Sequence, residues 1–225
     1  MPSSLQASYE EARRRLVSEL KARGYIRSQM VEMAMLTVPR ELFVPEDLRG
    51  KAYEDRPLPI GHGQTISAPS IAAYMTELLE LSEGMRVLEV GTGSGYSAAV
   101  LATIAGERGH VWTIERVPEL AARAEAILKQ LGYGDRVTVI VGDGSLGYRQ
   151  AAPYDRILVT AASPRVPRPL VEQLAENGVM VIPVGGKEGQ VLTVIKKEGG
   201  QVYEKADLEV IFVPLVGAEG WQDQG

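Results

Sequence analysis

Residues 86–99, RVLEVGTGSGYSAA, pass from an apolar run into three alternate glycines, Gly91, Gly93 and Gly95, before helix-forming residues resume. A short apolar run bounded by turn residues reads as a buried strand. Glycines at its end let the backbone take positive φ and approach a ligand without Cβ interference. The N–H groups that open the next helix then face whatever lies in the turn. Strand, glycine turn and helix in this order predict the ligand-binding start of a doubly wound α/β sheet, where ligands sit beyond the carboxyl ends of the strands.

The flanking sequence repeats this alternation. Helices are expected over about 69–82, 95–105, 117–131 and 167–176, and strands over 86–91, 110–115, 136–141, 154–161 and 178–184. The early strands are nearly continuous apolar runs, as in a parallel sheet covered on both faces. Two further strand-like runs, 190–197 and 207–215, follow without a helix between them and are expected to pair antiparallel. Upstream, helices are predicted over 5–23 and 28–38, the second ended by Pro39. The proline-rich stretch 39–69 has little periodicity, but Phe43, Val44, Tyr53, Leu58 and Ile60 predict an ordered wrap. The expected organisation is therefore an N-terminal unit, 1–68, of helices and a substrate-side loop packed on a Rossmann-like core, 69–225.

Composition narrows the function. The chain of 225 residues has no cysteine and two histidines, His62 and His110, which argues against thiolate chemistry and metal dependence. Its net charge is −5 with dispersed basic residues, so no nucleic-acid footprint is expected. No apolar run reaches membrane-spanning length, and the N-terminus lacks the apolar core of a secretory signal, so the expectation is a cytoplasmic protein.

The acids near the glycine turn bear on the ligand. Glu115 ends the second strand of the core, 20 residues after Gly95, where a carboxylate accepts hydrogen bonds from ribose hydroxyls. GSGYSA, Gly93–Ala98, also fits a loose dinucleotide fingerprint, so a nicotinamide cofactor is an alternative. Glu89, inside the strand, argues against it: a buried acid needs a cationic or polar partner. The amino group of a methionine moiety supplies one, whereas a pyrophosphate would be repelled. Asp143 in the turn of VIVGDGS suits an adenine amino group. These residues tilt the reading to S-adenosylmethionine.

VLEVGTGSGY, TIER, GDGS and YDRILVTAA resemble the successive motifs of class I (Rossmann-like) S-adenosylmethionine-dependent methyltransferases. With PRELFVP, DRPLPIGHGQTISAP, LVEQLAENGVMVIPVG and VIFVPLVG, the stretch 25–221 resembles the protein-L-isoaspartate (D-aspartate) O-methyltransferase family. The resemblance implies methyl transfer to the α-carboxylate of isoaspartyl residues in damaged proteins and peptides, leaving S-adenosylhomocysteine. It places the active-site serine at Ser67, where the alternative from sequence is a helix N-cap beside Pro69. It places cofactor contacts at Thr65, Ile66 and Ser67, at Gly91, Thr92, Gly93, Ser94 and Gly95, at Glu115 and Arg116, and at Gly142 and Asp143. It makes Pro69 and Phe212, Val213, Pro214 and Leu215 the substrate side. The chain departs from many members at Ser70, where they carry histidine. A carboxylate acceptor is already ionised at neutral pH, so no general base is needed. Ser67 is expected to hold that carboxylate on a monomeric enzyme.

Overall fold

A computed structural model describes residues 4–222; the outermost ends of the two expected units, 1–3 and 223–225, lie outside the described residues. The chain opens with α1 (Ser4–Ala22) and α2 (Gln29–Thr37). Ser28 caps α2 by accepting from the Val31 N–H, and the Glu77 carboxylate accepts from the Arg27 and Ser28 N–H groups, pinning the start of α2. The proline-rich stretch then forms 3-10 turns at Arg40–Phe43 and Glu46–Lys51 and a small hairpin, β1 (Leu58–Gly61) with β2 (Gln64–Ile66). His62 and Gly63 make the hairpin turn with φ of 52° and 68°. Asn-Gly is the usual sequence signal for such a turn, and His-Gly concealed it. Of the anchors named from sequence, Phe43, Val44, Leu58 and Ile60 are buried, and Tyr53 is half-buried against the same core.

After α3 (Pro69–Leu78) come β3 (Arg86–Val90), α4 (Tyr96–Ala105), β4 (His110–Glu115), α5 (Pro118–Gln130), β5 (Val137–Val141) and β6 (Tyr154–Val159). The chain continues through α6 (Arg168–Gln173), β7 (Leu174–Gly186), β8 (Gly189–Glu198) and β9 (Gln201–Val210). The sheet order is β5-β4-β3-β6-β7-β8-β9, with β5 to β7 parallel and the last two strands antiparallel. Within β3 the register sends Val87 to one apolar cluster and Leu88 and Val90 to the other, so helices on both faces bury the sheet. The cluster containing Val87 also includes Leu16, Leu20, Val31, Phe43 and Leu58 from the N-terminal segments.

Two expectations are corrected. The helix expected over 167–176 stops at Gln173, because Leu174 already belongs to a long β7. The strand expected over 207–215 ends at Val210; the chain then leaves the sheet edge and crosses inward, so that Ala162 and Pro214 form an isolated bridge. That crossing carries the C-terminal segment to the site.

Candidate active site

Strand order reverses at β3, which has β4 on one side and β6 on the other. The crevice beyond these strand ends holds a cavity lined by Val90, Gly91, Gly93, Ile114, Glu115, Arg116, Gly144, Thr160 and Ala161. The hairpin adds Gln64 and Thr65, and the C-terminal segment adds Val213 to Val216. The turn is held by the neighbouring strand ends. The Gly91 N–H donates to Ile114 O at 2.9 Å, and Thr160 Oγ1 donates to Gly91 O at 2.7 Å. Gly91 has φ +97°, and a Cβ there would lie 2.4 Å from Thr160 Oγ1. Gly144, across the crevice, would bring a Cβ within 2.5 Å of Val90 Cγ1. Only glycine fits either place.

Two carboxylates serve the turn in different ways. Glu115 accepts from the Gly93 N–H at 2.9 Å and the Val117 N–H at 3.0 Å while it lines the cavity. Glu89 is fully buried beneath the turn; Thr113 Oγ1 donates to its Oε2 at 2.5 Å, and its Oε1 has no partner. Burial, opposed by the Thr113 hydrogen bond and assisted by the charge of Glu115, pushes the Glu89 carboxyl up to about 8. A buried acceptor without a donor is costly and fits a cationic or N–H-bearing ligand group above it.

The remaining cofactor residues named from sequence divide. Thr65, Gly91, Gly93 and Arg116 join Glu115 on the cavity wall. Ile66, Thr92 and Ser94 are buried, Thr92 in a hydroxyl pair with Thr113 at 2.7 Å. Gly95, with φ +88°, turns toward Ala124 and Leu128 of α5. Gly142 and Asp143 line an adjoining cavity that shares Ile114 with the first. The Asp143 carboxylate already accepts from the N–H and hydroxyl of Ser145 and from the Ala218 N–H. It therefore fastens the C-terminal segment as well as standing beside the crevice.

A second cavity is lined by Pro57, Thr65, Ser67, Ala68, Ile71, Thr160 and Glu209 to Val213. It meets the first at Thr65, Thr160 and Val213. Ser67 is half-buried, and among the described residues no hydrogen bond engages its hydroxyl. The N-cap position of α3 is Ala68, so Ser67 does not cap that helix. Pro69 is buried at the first position of α3. Ser70 is buried too, its N–H donating to Asp55 Oδ1 at 2.8 Å. The segment assigned wholly to the substrate side is split: Phe212 lines the second cavity, Pro214 and Leu215 the first, and Val213 both. Thr160 and Gly144 escaped the sequence reading, although both follow strand ends within the quoted YDRILVTAA and GDGS.

This crevice, with a glycine turn after the first core strand and an acid ending the second, is that of the S-adenosylmethionine-dependent methyltransferases. The family model described as protein-L-isoaspartate(D-aspartate) O-methyltransferase (PCMT) matches residues 11–220. The chain belongs to that family. It is 57% identical to the protein-L-isoaspartate O-methyltransferase of Hyperthermus butylicus, over 96% of this chain and 92% of that one. It is 60% identical to that of Ignicoccus hospitalis, over 93% of this chain and 100% of the other. Among solved structures, a putative protein-L-isoaspartate O-methyltransferase from Plasmodium falciparum in complex with S-adenosyl-L-homocysteine superposes with a TM-score of 0.81 at 31% identity. That superposition covers 91% of this chain and 98% of the other. The protein is thus an S-adenosylmethionine-dependent methyltransferase acting on isoaspartyl residues.

Proposed function

We propose that the crevice at the β3–β6 switch point holds S-adenosylmethionine and that the adjoining cavity receives the isoaspartyl α-carboxylate, with Ser67 as its hydrogen-bond donor. The observation that carries this reading is the junction of the two cavities at Thr65, Thr160 and Val213. Glu115 would face the ribose, Glu89 would answer the amino group, and Gly144 with the neighbouring Asp143 would bound the adenine. The cofactor supplies an electrophilic methyl group on sulfonium.

The chain's own work is then orientation. Ser67 holds one carboxylate oxygen so that the other points through the junction, and Val213 and Phe212 narrow the space open to water. Alignment of this kind is worth about 7–11 kcal/mol at the limit. No residue needs to remove a proton, because the acceptor carboxylate is already ionised at neutral pH. The methyl ester formed on the damaged residue collapses to a succinimide, whose hydrolysis returns part of the chain to aspartate. The same reading, from sequence, is of a cytoplasmic monomer acting on damaged proteins and peptides; sedimentation of the purified protein tests the monomer.

Two synthetic peptides, identical except for isoaspartate or aspartate at one position, test the proposal with methyl-labelled S-adenosylmethionine. Base-labile label on the isoaspartyl peptide alone is expected. Label on both peptides would overturn the acceptor assignment.

A further inference from the structure

Arg40 is among the largest fully buried side chains, at 1% exposure. It sits in the 3-10 turn Arg40–Phe43, far in sequence from either cavity. Its Nε donates to Ala52 O at 2.8 Å and its Nη2 to Ser67 O at 2.7 Å. The guanidinium lies 5.0 Å from the ring centre of Tyr96, the first residue of α4 after the glycine turn. Nη1 has no hydrogen-bond partner. Arg13, by contrast, is paired with Glu41 at 3.1 Å. Among the described residues no carboxylate stands within ion-pair distance of Arg40. Asp55, which acts on it from farther away, is already shared between Arg23 and the Ser70 N–H.

A buried cation without a counter-charge is strongly unfavourable, and an anion brought near it recovers part of that cost. The Arg40 guanidinium thus stands one hydrogen bond from the backbone of Ser67, a residue on the lining of the acceptor cavity. The charged side chain on the lining of that cavity is Glu209, which is exposed and would repel an anion.

We propose that Arg40 is a positioning residue for the substrate: its unpaired charge, one hydrogen bond behind the Ser67 carbonyl, draws the isoaspartyl α-carboxylate into the cavity. This rests on the reading of Ser67 given above. The sign of its kinetic effect follows from the chemistry. As the carboxylate oxygen bonds to the methyl carbon, the carbon–sulfur bond breaks, the carboxylate becomes a neutral ester and the sulfonium a neutral thioether. The carboxylate is therefore more negative in the bound substrate than in the transition state, and Arg40 favours binding over turnover. A residue that merely supported the fold would not divide its effect in this way.

Arg40→Gln replaces the cation by a neutral amide, and Arg40→Lys keeps the charge. In Arg40→Gln, KM for the isoaspartyl peptide is expected to rise about tenfold, with kcat within about twofold of the parent. Calorimetric binding of the peptide in the presence of S-adenosylhomocysteine, with an α-carboxylate or an α-carboxamide, is expected to show the preference for carboxylate falling about tenfold in the same variant. Arg40→Lys should restore both values to within about threefold. An unchanged KM and an intact carboxylate preference in Arg40→Gln would overturn the proposal, as would a fall in kcat at constant KM.

Should Arg40→Gln not fold, Ser67→Ala serves, because the Arg40 bond is to the backbone carbonyl, which that substitution retains. Peptide binding to Ser67→Ala is expected to keep a clear preference for carboxylate over carboxamide; loss of all preference would overturn the role of Arg40. Parent turnover in Ser67→Ala, by contrast, would remove the serine assignment while the Arg40→Gln measurement still reports on the charge.

Discussion

The two halves of the crevice are built on opposite plans. The cofactor half comes from consecutive strand ends of the parallel sheet, β3, β4 and β6, whose turns hydrogen-bond one another. The acceptor half comes from segments far apart in sequence, the hairpin and its exit at Thr65–Ala68 and the C-terminal run Glu209–Val213, braced from behind by Arg40. A repeating architecture fixes the first half, so its residues stand at intervals set by the βα unit. The second half is attached to it and, in the function proposed above, receives the family's acceptor. The difference teaches that two differently built cavities meet at Thr65, Thr160 and Val213, so that in the proposed function cofactor binding and acceptor recognition are expected to separate.

Substitutions can break that separation or sharpen it. The largest effect is expected at Ser67. Ser67→Ala should lower kcat by ~10²-fold, the cost of losing the alignment of the carboxylate with the methyl group. Calorimetry with S-adenosylhomocysteine should meanwhile give a Kd within about twofold of the parent. A matched loss of cofactor affinity would mean that the halves do not separate.

Glu115→Ala is the converse test. It removes an acceptor for the Gly93 and Val117 N–H groups as well as the proposed ribose contact. The S-adenosylhomocysteine Kd should rise roughly 30-fold, as expected for charge-assisted hydrogen bonds, with KM for the peptide little changed.

Glu89 sharpens the comparison through pH. Its carboxyl is pushed up to about 8 from 4.5, so between these values the folded protein holds a proton that the unfolded chain has released. Its contribution to stability is greatest at low pH and is lost as pH rises through this window, by ~1.4 kcal/mol per pH unit. Urea denaturation of the cofactor-free protein at pH 6 and pH 8 measures it. Glu89→Gln, which imitates the protonated acid, should remove that part of the slope; an unchanged slope would place the titration elsewhere.

The smallest effect is expected where the C-terminal segment is fastened. Asp143→Asn keeps one acceptor oxygen, for the Ser145 groups or for the Ala218 N–H but not both, and removes the charge. It should cost about 1 kcal/mol of stability in the same denaturation measurement. Limited proteolysis should cut sooner after Val216.

Legibility follows the same division. Gly91, Gly93 and Glu115 could be placed on a cavity wall from spacing alone, because a strand followed by a tight turn leaves few geometries. Thr92 and Ser94, adjacent to those glycines, turned inward, because the turn alternates its side chains between cavity and interior. Phe212 and Pro214 were identified as a wall, but which cavity each faces depended on the chain leaving the sheet at Val210. Arg40 lies within PRELFVP, one of the stretches that carry the family resemblance, but nothing there set its charge apart from the neighbouring apolar anchors.

The sequence by itself determined the alternation of strands and helices, the position of the glycine turn, the acid at the end of β4 and the family's acceptor motifs. The first three are local properties, set by periodicity and by the conformations that glycine permits; the acceptor motifs are what the family resemblance implies. The tertiary structure alone decided which oxygen of Glu89 lacks a donor, that Thr160 closes the turn, that two cavities join, and that a buried arginine stands behind Ser67. Those depend on contacts between residues distant in sequence, Val90 and Thr160 at 70 positions among them, which meet only when the sheet order and the crossing of the C-terminal segment bring them together.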